Sequence, residues 1–261
     1  MAFSVTPPVP CTGCRDGAGL DFAFSMAFQP IVDIATGTPF AYEALVRGPD
    51  GEGAASILSQ VSDANRYAFD QQCRVRAISV AAAAGLIDTG ARLSINFLPN
   101  AVYSPAACIQ LTLKTARAFA FPTDRLIFEF TENEEMTDPA HVADIVATYR
   151  KMGFGTALDD FGAGHAGLNL LAQFQPDIVK LDMHLIRDLD LSLPRRTVVN
   201  GVVRMCETLG ITVIAEGIET VGELEALRAM DVRYIQGFLF AKPGFETLPP
   251  ITLHATAEVS A

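Results

Sequence analysis

Carboxylates and amides recur in this sequence where short β-rich runs end. Glu43 lies in the second run, Asn96 near the end of the third, and Glu129 with Glu132 at the end of the fourth. Asp159 and Asp160 close the fifth, Lys180 and Asp182 the sixth, Glu216 and Glu219 follow the seventh, and Gln236 ends the eighth. A single strand-end acid is often a helix N-cap or a solvated loop residue. Six or more converging on one rim would repel one another strongly and so require cations. Oxygen ligands without a histidine cluster favour hard ions such as Mg2+, Mn2+ or Ca2+ over zinc. The four histidines (His141, His165, His184, His254) are scattered. Two adjacent aspartates, Asp159 and Asp160, can serve two neighbouring metals, one of them by bridging. Such a pair of metals suits in-line attack of water on a phosphodiester. Lys180, inside the acidic set, reads either as an ion-pair partner of a carboxylate or as a cation beside the attacking water.

The elements that must position these groups alternate. Candidate strands run over Phe28 to Ile34, Phe40 to Val46, Arg92 to Phe97, Arg125 to Thr131, Phe154 to Leu158, Ile178 to Leu181, Ile211 to Ala215 and Arg233 to Phe238. Helical stretches lie between most of them: Ala54 to Gly85, Asp138 to Met152, Arg196 to Leu209 and Val221 to Met230. Eight buried strands alternating with helices predict an α/β fold, a TIM-like (β/α)8 barrel whose catalytic groups sit where strands run into the following loops. Only Ala35-Thr36-Gly37-Thr38-Pro39 separates the first two strands. That is too short for a parallel crossover, so the first strand is expected to be antiparallel, in a hairpin. The expected organisation is a flexible leader over 1–24, the barrel over 25–246 and a tail over 247–261.

Composition narrows the partners. The chain has 261 residues, half of them hydrophobic, with 19 basic against 30 acidic residues and a formal net charge of -11. No basic stripe is available to displace counterions from a duplex, which argues against duplex nucleic acid as a partner. A phosphate-ester ligand would need bound divalent cations to neutralise it. The longest apolar stretch, Ala77 to Ile87, is far too short to span a bilayer, and a cytoplasmic location is the default expectation. Cys11 and Cys14 form a lone C-x-x-C offering two of the four ligands of a tetrahedral zinc site; two reduced thiols in a leader are the plainer reading.

The motif set resembles the EAL domain, the cyclic di-GMP phosphodiesterase of bacterial second-messenger signalling. Glu43-Ala44-Leu45 is the name-giving triplet, within FQPIVDIATGTPFAYEALVRG. LSINFLPN, IFEFTEN, TALDDFGAGHAGLNLL, PDIVKLDM, VIAEGIET and QGFLFAKP follow in the order and at the spacing of that family, from about Met26 to Pro243. The resemblance implies that Glu43, Asn96, Glu129 and Asp159 hold a first metal and that Asp159, Asp160 and Glu216 hold a second. It places Lys180 and Gln236 beside the nucleophilic water, and Gln29 and Arg47 against the dinucleotide. Glu132 becomes the acid that holds the loop beginning at Asp159, Glu219 the second acid of a glutamate pair, and Asp182 a less defined substrate-side residue. Mg2+ or Mn2+, two per site, is implied as the cofactor, Ca2+ as an inhibitor, linear pGpG as the product and a homodimer as the assembly.

Gly48-Pro49 stands where many relatives have an aromatic residue, and His165 and Gly167 replace a frequent Tyr and Ser. These departures touch a guanine contact, the mobility expected of the glycine-rich loop Asp160 to Gly167 and the dimer surface; none removes a metal ligand. The alternatives are an EAL-type receptor that binds cyclic di-GMP without cutting it, and a protein-interaction module. A receptor typically lacks a ligand, the lysine or the loop-holding acid, and this chain keeps them all.

Overall fold

The computed structural model describes residues 20–131, 139–164 and 167–253. Strands β1 (Ser25–Asp33) and β2 (Thr38–Arg47) form the expected antiparallel hairpin, registered from Ser25 opposite Arg47 to Asp33 opposite Thr38. Its turn closes with the backbone amides of Thr36 and Gly37 donating to the Asp33 carbonyl, and Gly37 supplies the left-handed φ of +71° that the turn needs. Six parallel strands follow: β3 (Arg92–Asn96), β4 (Leu126–Thr131), β5 (Gly155–Phe161), β6 (Ile178–Leu181), β7 (Thr212–Ala215) and β8 (Tyr234–Gln236). The order β2-β3-β4-β5-β6-β7-β8-β1, with β1 also paired to β2, closes a TIM-like barrel. β1 is antiparallel to both neighbours.

The barrel interior is layered. Ile31, Ala41, Ile127, Ala157, Ile178 and Ile214, one from each of six strands, form a small apolar plug. Side chains two residues apart in a strand share a face. One step further toward the mouth, the same strands therefore present Gln29, Glu43, Glu129, Asp159, Lys180 and Glu216 to the interior. The large core lies outside, between the strands and their helices, and includes Phe97, Phe128, Tyr149 and Phe154. Among the described residues no helix is long and apolar enough to cross a membrane.

Several expectations are corrected. The stretch Ala54 to Gly85 is broken: helix Ala54–Leu58 is separated from Arg66–Ala83. The Asn65 side chain accepts from the Ser62 amide and donates to the Gln60 carbonyl, and such local bonds compete with helix continuation. The β3–β4 crossover carries two helices absent from the expected set, Pro105–Cys108 and Gln110–Ala118, the second of which buries Thr112, Thr115 and Ala116. β5 runs three residues past its expected end at Leu158, so Asp159 and Asp160 belong to the strand. A short ninth strand, Gly244–Phe245, pairs with β1. Cys11, Cys14, Glu132, His165 and His254 lie outside the described residues.

The seam between β1 and β8 is fastened by Asp33 and Arg233, whose Nε and Nη2 donate to the two carboxylate oxygens at 2.8 and 2.6 Å. This hydrogen-bonded guanidinium, assisted by the Ala35 amide, outweighs the effect of burial and holds the Asp33 carboxyl down at about 2. A depressed carboxylate pKa contributes stability above its unfolded value, near 3.9, that is lost as pH falls toward the folded value. Asp33→Asn is expected to lower the thermal midpoint at pH 7. Its difference from the parent should shrink as pH drops from about 4 to about 2, and a pH-independent difference would show that the ion pair is not its origin.

Candidate active site

Lys180 is fully buried at the centre of the upper layer. Its Nζ stands 2.6 Å from a Glu216 oxygen, 3.0 Å from Glu129, 3.1 Å from Asp159 and 3.6 Å from Glu43. Glu43 is held on both oxygens, accepting from Asn96 Nδ2 at 3.0 Å and from Gln236 Nε2 at 2.7 Å. Gln236 Nε2 also reaches Gln29 Oε1 at 3.2 Å, and Gln29 in turn donates to the Ala241 carbonyl. The Ser94 hydroxyl donates to the second oxygen of Glu129. Buried Gln236 Oε1 has no protein partner; it is an acceptor left available in the wall.

Asp160 joins this set through an irregularity. Adjacent strand residues normally face opposite ways, but the β5–β6 register shifts between Leu158 and Phe161 and Asp160 adopts φ +54°. Bulges of this kind re-aim a side chain beside a functional site. The Asp160 amide donates to Asp159 Oδ1, and both carboxylates face one cavity of about 300 Å3. Gly237 permits the close approach of the neighbouring loop, since a Cβ there would lie 2.0 Å from the Ile218 carbonyl oxygen.

Charge is concentrated beyond what one ammonium balances. Burial raises the pKa of Glu129 to about 8 and that of Asp160 to about 6; neighbouring acids add to both shifts and Lys180 opposes them. Asp159 and Glu216 are raised by burial and by their acidic neighbours, again against Lys180. Burial acts to lower the Lys180 pKa, yet Asp159, Glu129, Glu216 and Glu43 outweigh it and hold the ammonium well above its ordinary range. The donor set fits divalent cations. Oxygens of Glu43, Glu129 and Asp159 lie within 4.8 Å of one another, as do those of Asp159, Asp160 and Glu216, with Asp159 common to both groups. All-carboxylate donors of this kind match hard cations.

The other expected residues are arranged around this centre. Asp182 lines the cavity and caps helix Met183–Ile186, accepting from the His184 amide at 2.8 Å and from its ring Nδ1 at 2.7 Å. Glu219 lines the outer wall and accepts from Arg187 at 2.9 Å, away from the buried cluster. Arg47, at the end of β2, donates to its neighbour's carbonyl, that of Val46, and is not among the cavity-lining residues. Sequence patterning missed Phe238, an exposed aromatic in the cavity wall, and Met183, which lines the same cavity. It also missed Glu223, which is buried and accepts from the amides of Asp188, Glu219 and Thr220, anchoring the rim loop. The capping box Thr220-x-x-Glu223 was the available signal.

Comparison with known proteins bears on this arrangement. Residues 21–243 match the EAL domain. The chain belongs to this family. Among curated proteins it is 33% identical over 225 residues to the Escherichia coli blue light- and temperature-regulated antirepressor BluF, covering 86% of this chain and 55% of that protein. It is 29% identical over 247 residues to a cyclic di-GMP phosphodiesterase of Pseudomonas aeruginosa, covering 89% of this chain and 40% of that protein. The chain thus spans roughly half or less of the length of these EAL relatives. Among solved structures, a standalone EAL protein from Vibrio cholerae in its c-di-GMP-bound form superposes with TM-score 0.86 at 50% identity, covering 90% of this chain and 98% of that one. Klebsiella pneumoniae BlrP1, in a manganese and cyclic di-GMP complex, gives 0.79 at 36% identity, covering 85% of this chain and 56% of that one.

Protons and cations compete for the same carboxylate oxygens, so cation binding to this EAL domain should release protons. Its Mn2+ affinity, measured by titration calorimetry, is expected to rise as pH goes from about 6 to about 8, the range set by Asp160 and Glu129. Affinity flat across that range, with no proton release detectable between buffers of different ionisation enthalpy, would contradict the shared site.

Proposed function

We propose that this chain is a cyclic di-GMP phosphodiesterase that hydrolyses one phosphodiester of its substrate to linear pGpG with two Mg2+ or Mn2+ ions. The observation that carries this reading is the complete donor set converging on Lys180 in the barrel mouth. Glu43, Asn96, Glu129 and Asp159 would hold one cation, and Asp159, Asp160 and Glu216 the other. Bound there, such cations neutralise phosphate charge and supply a nucleophilic hydroxide at neutral pH.

The chain's own residues do the rest. Lys180, kept as an ammonium by its carboxylate neighbours, can donate but not accept hydrogen bonds; it stabilises negative charge developing on the phosphate or the attacking oxygen. Gln236 Oε1 offers an acceptor to the attacking water, and Nε2 fixes its orientation through Glu43. Gln29, held by the Ala241 carbonyl, and Asp182 contact the dinucleotide from the cavity wall. Phe238 presents a flat ring on which a purine base can stack. Arg47 reaches a phosphate by leaving its bond to Val46, and Glu219 completes the outer rim. The family resemblance assigns Glu132 the role of holding the loop that begins at Asp159. Cytoplasmic action and a homodimer belong to the same reading.

Incubation with cyclic di-GMP and Mg2+ or Mn2+ is expected to yield pGpG by chromatography, with EDTA abolishing the product and Ca2+ failing to replace either ion. Binding without cleavage would favour the receptor reading, and no binding at all would favour the protein-interaction module, the alternative that the antirepressor relative raises. Asp159→Ala should cut turnover by orders of magnitude with native circular dichroism; retention of more than about a tenth, worth only about 1.4 kcal/mol of barrier, would refute its bridging role.

Lys180→Ala separates catalysis from charge balance. A catalytic cation predicts retained cyclic di-GMP binding with turnover reduced at least about a hundredfold, not restored by excess Mg2+. Recovery to near-parent turnover at high Mg2+ would leave Lys180 as an ion-pair partner only.

A further inference from the structure

Behind the barrel wall, outside the site, lies a buried charged group that the reaction does not use. Arg74, on helix Arg66–Ala83, is fully buried. Its Nη2 stands 2.7 Å from Asp70 Oδ2, and its Nη1 donates to the Tyr149 hydroxyl at 3.0 Å. The guanidinium carbon sits 5.3 Å from the Phe97 ring centroid and 5.4 Å from that of Phe128. Asp70 spends its other oxygen on the backbone amide of Leu98, at 3.0 Å.

Those contacts converge on one place in the sheet. Asn96 and Glu129 are register partners in the β3–β4 ladder, and the Phe97 amide donates to the Glu129 carbonyl at 2.8 Å. Phe97 and Phe128 are the chain neighbours of Asn96 and Glu129, and strand alternation sends them out into the helical layer while the donors face in. Arg74 and Asp70 therefore grip the outer side of the rung whose inner side carries two oxygen donors.

A buried ion pair is a poor way to gain stability, because hydrophobic residues of similar volume often serve the fold as well or better. Arg74 Nε has no hydrogen-bond partner, so this pair is not optimised even as a pair. A planar cation wedged against two aromatic rings does supply orientation, which an alkyl chain would not.

We propose that Arg74, backed by Asp70 and Tyr149, is a positioning residue that fixes Asn96 and Glu129 for cation binding through Phe97 and Phe128. This rests on the phosphodiesterase reading for its consequence in turnover, but not for its consequence in Mn2+ affinity.

The test is a double replacement in the full chain, Asp70→Asn with Arg74→Met, which removes both charges and keeps an acceptor for the Leu98 amide. The thermal midpoint in chelator should stay within a few degrees of the parent. Mn2+ affinity by titration calorimetry should weaken by about tenfold or more, the range typical of groups that orient metal ligands. At saturating Mn2+, turnover should show a lower kcat with KM nearly unchanged. An unchanged Mn2+ affinity, whether or not the midpoint moves, would overturn the proposal by making the pair purely structural. If the double variant fails to fold, Tyr149→Phe decides, since it removes only the hydroxyl that orients Arg74: weaker Mn2+ binding at an unchanged midpoint supports the role, and unaltered binding refutes it. A parent protein that holds Mn2+ without cutting cyclic di-GMP would sink the phosphodiesterase reading alone, leaving the Mn2+ comparison to decide this one. A parent that binds no Mn2+ would sink both.

Discussion

One buried ammonium organises this molecule. Lys180 Nζ is within 3.6 Å of four carboxylates contributed by β2, β4, β5 and the end of β7, all in a cross-section from which water is largely excluded. A single positive charge cannot balance four negative ones at such distances, so the cluster must take up protons or cations. The layering of the barrel makes the arrangement sustainable. The apolar plug of Ile31, Ala41, Ile127, Ala157, Ile178 and Ile214 seals the floor, and the charged layer begins one pleat above it on the same strands. Had any of these strands slipped by one residue, its donor would point into the helical layer and an apolar neighbour into the site.

Local devices refine what this layering provides. Five donors from different strands need only ordinary alternation, but two consecutive aspartates can share a cavity only because the β5–β6 register breaks at Asp159 and Asp160. The rim is fixed from behind by Glu223, whose carboxylate collects three backbone amides and stands near the Arg187 guanidinium, itself paired with Glu219. Floor, donors and rim are thus stabilised by different interactions, and a change in one need not propagate to the others.

What the sequence disclosed follows from this construction. Strands buried on both faces announce themselves as apolar runs, and polar residues interrupting such runs near their ends stand out, which is why Glu43, Glu129, Asp159, Lys180 and Glu216 were legible one by one. The five-residue link before β2 dictated the reversed first strand. Features that depend on two distant segments left weaker traces. Helix Gln110–Ala118 buries two threonines and an alanine but no large apolar side chain, so its core-facing side does not stand out as an apolar run. Phe238 looks like any strand aromatic until the fold exposes it in the cavity wall. Arg74 reads as one more charge on a helix, because its aromatic neighbours Phe97 and Phe128 come from two other elements.

The electrostatics also constrain how the proposed substrate and cations must act together. The chain carries a formal net charge of -11, and the cavity is walled by Glu43, Asp159, Asp160, Asp182, Glu216 and Glu219. A cyclic dinucleotide brings two further negative charges at its phosphodiesters, so without cations it meets a field that opposes entry. Each divalent ion reverses part of that field, which makes substrate affinity a function of cation occupancy. Linkage requires the converse in equal measure: whatever factor the cations contribute to dinucleotide binding, the dinucleotide contributes to theirs. A site this acidic thereby couples the proposed dinucleotide to the cations, and the excess of carboxylates over ammonium around Lys180 contributes to that coupling.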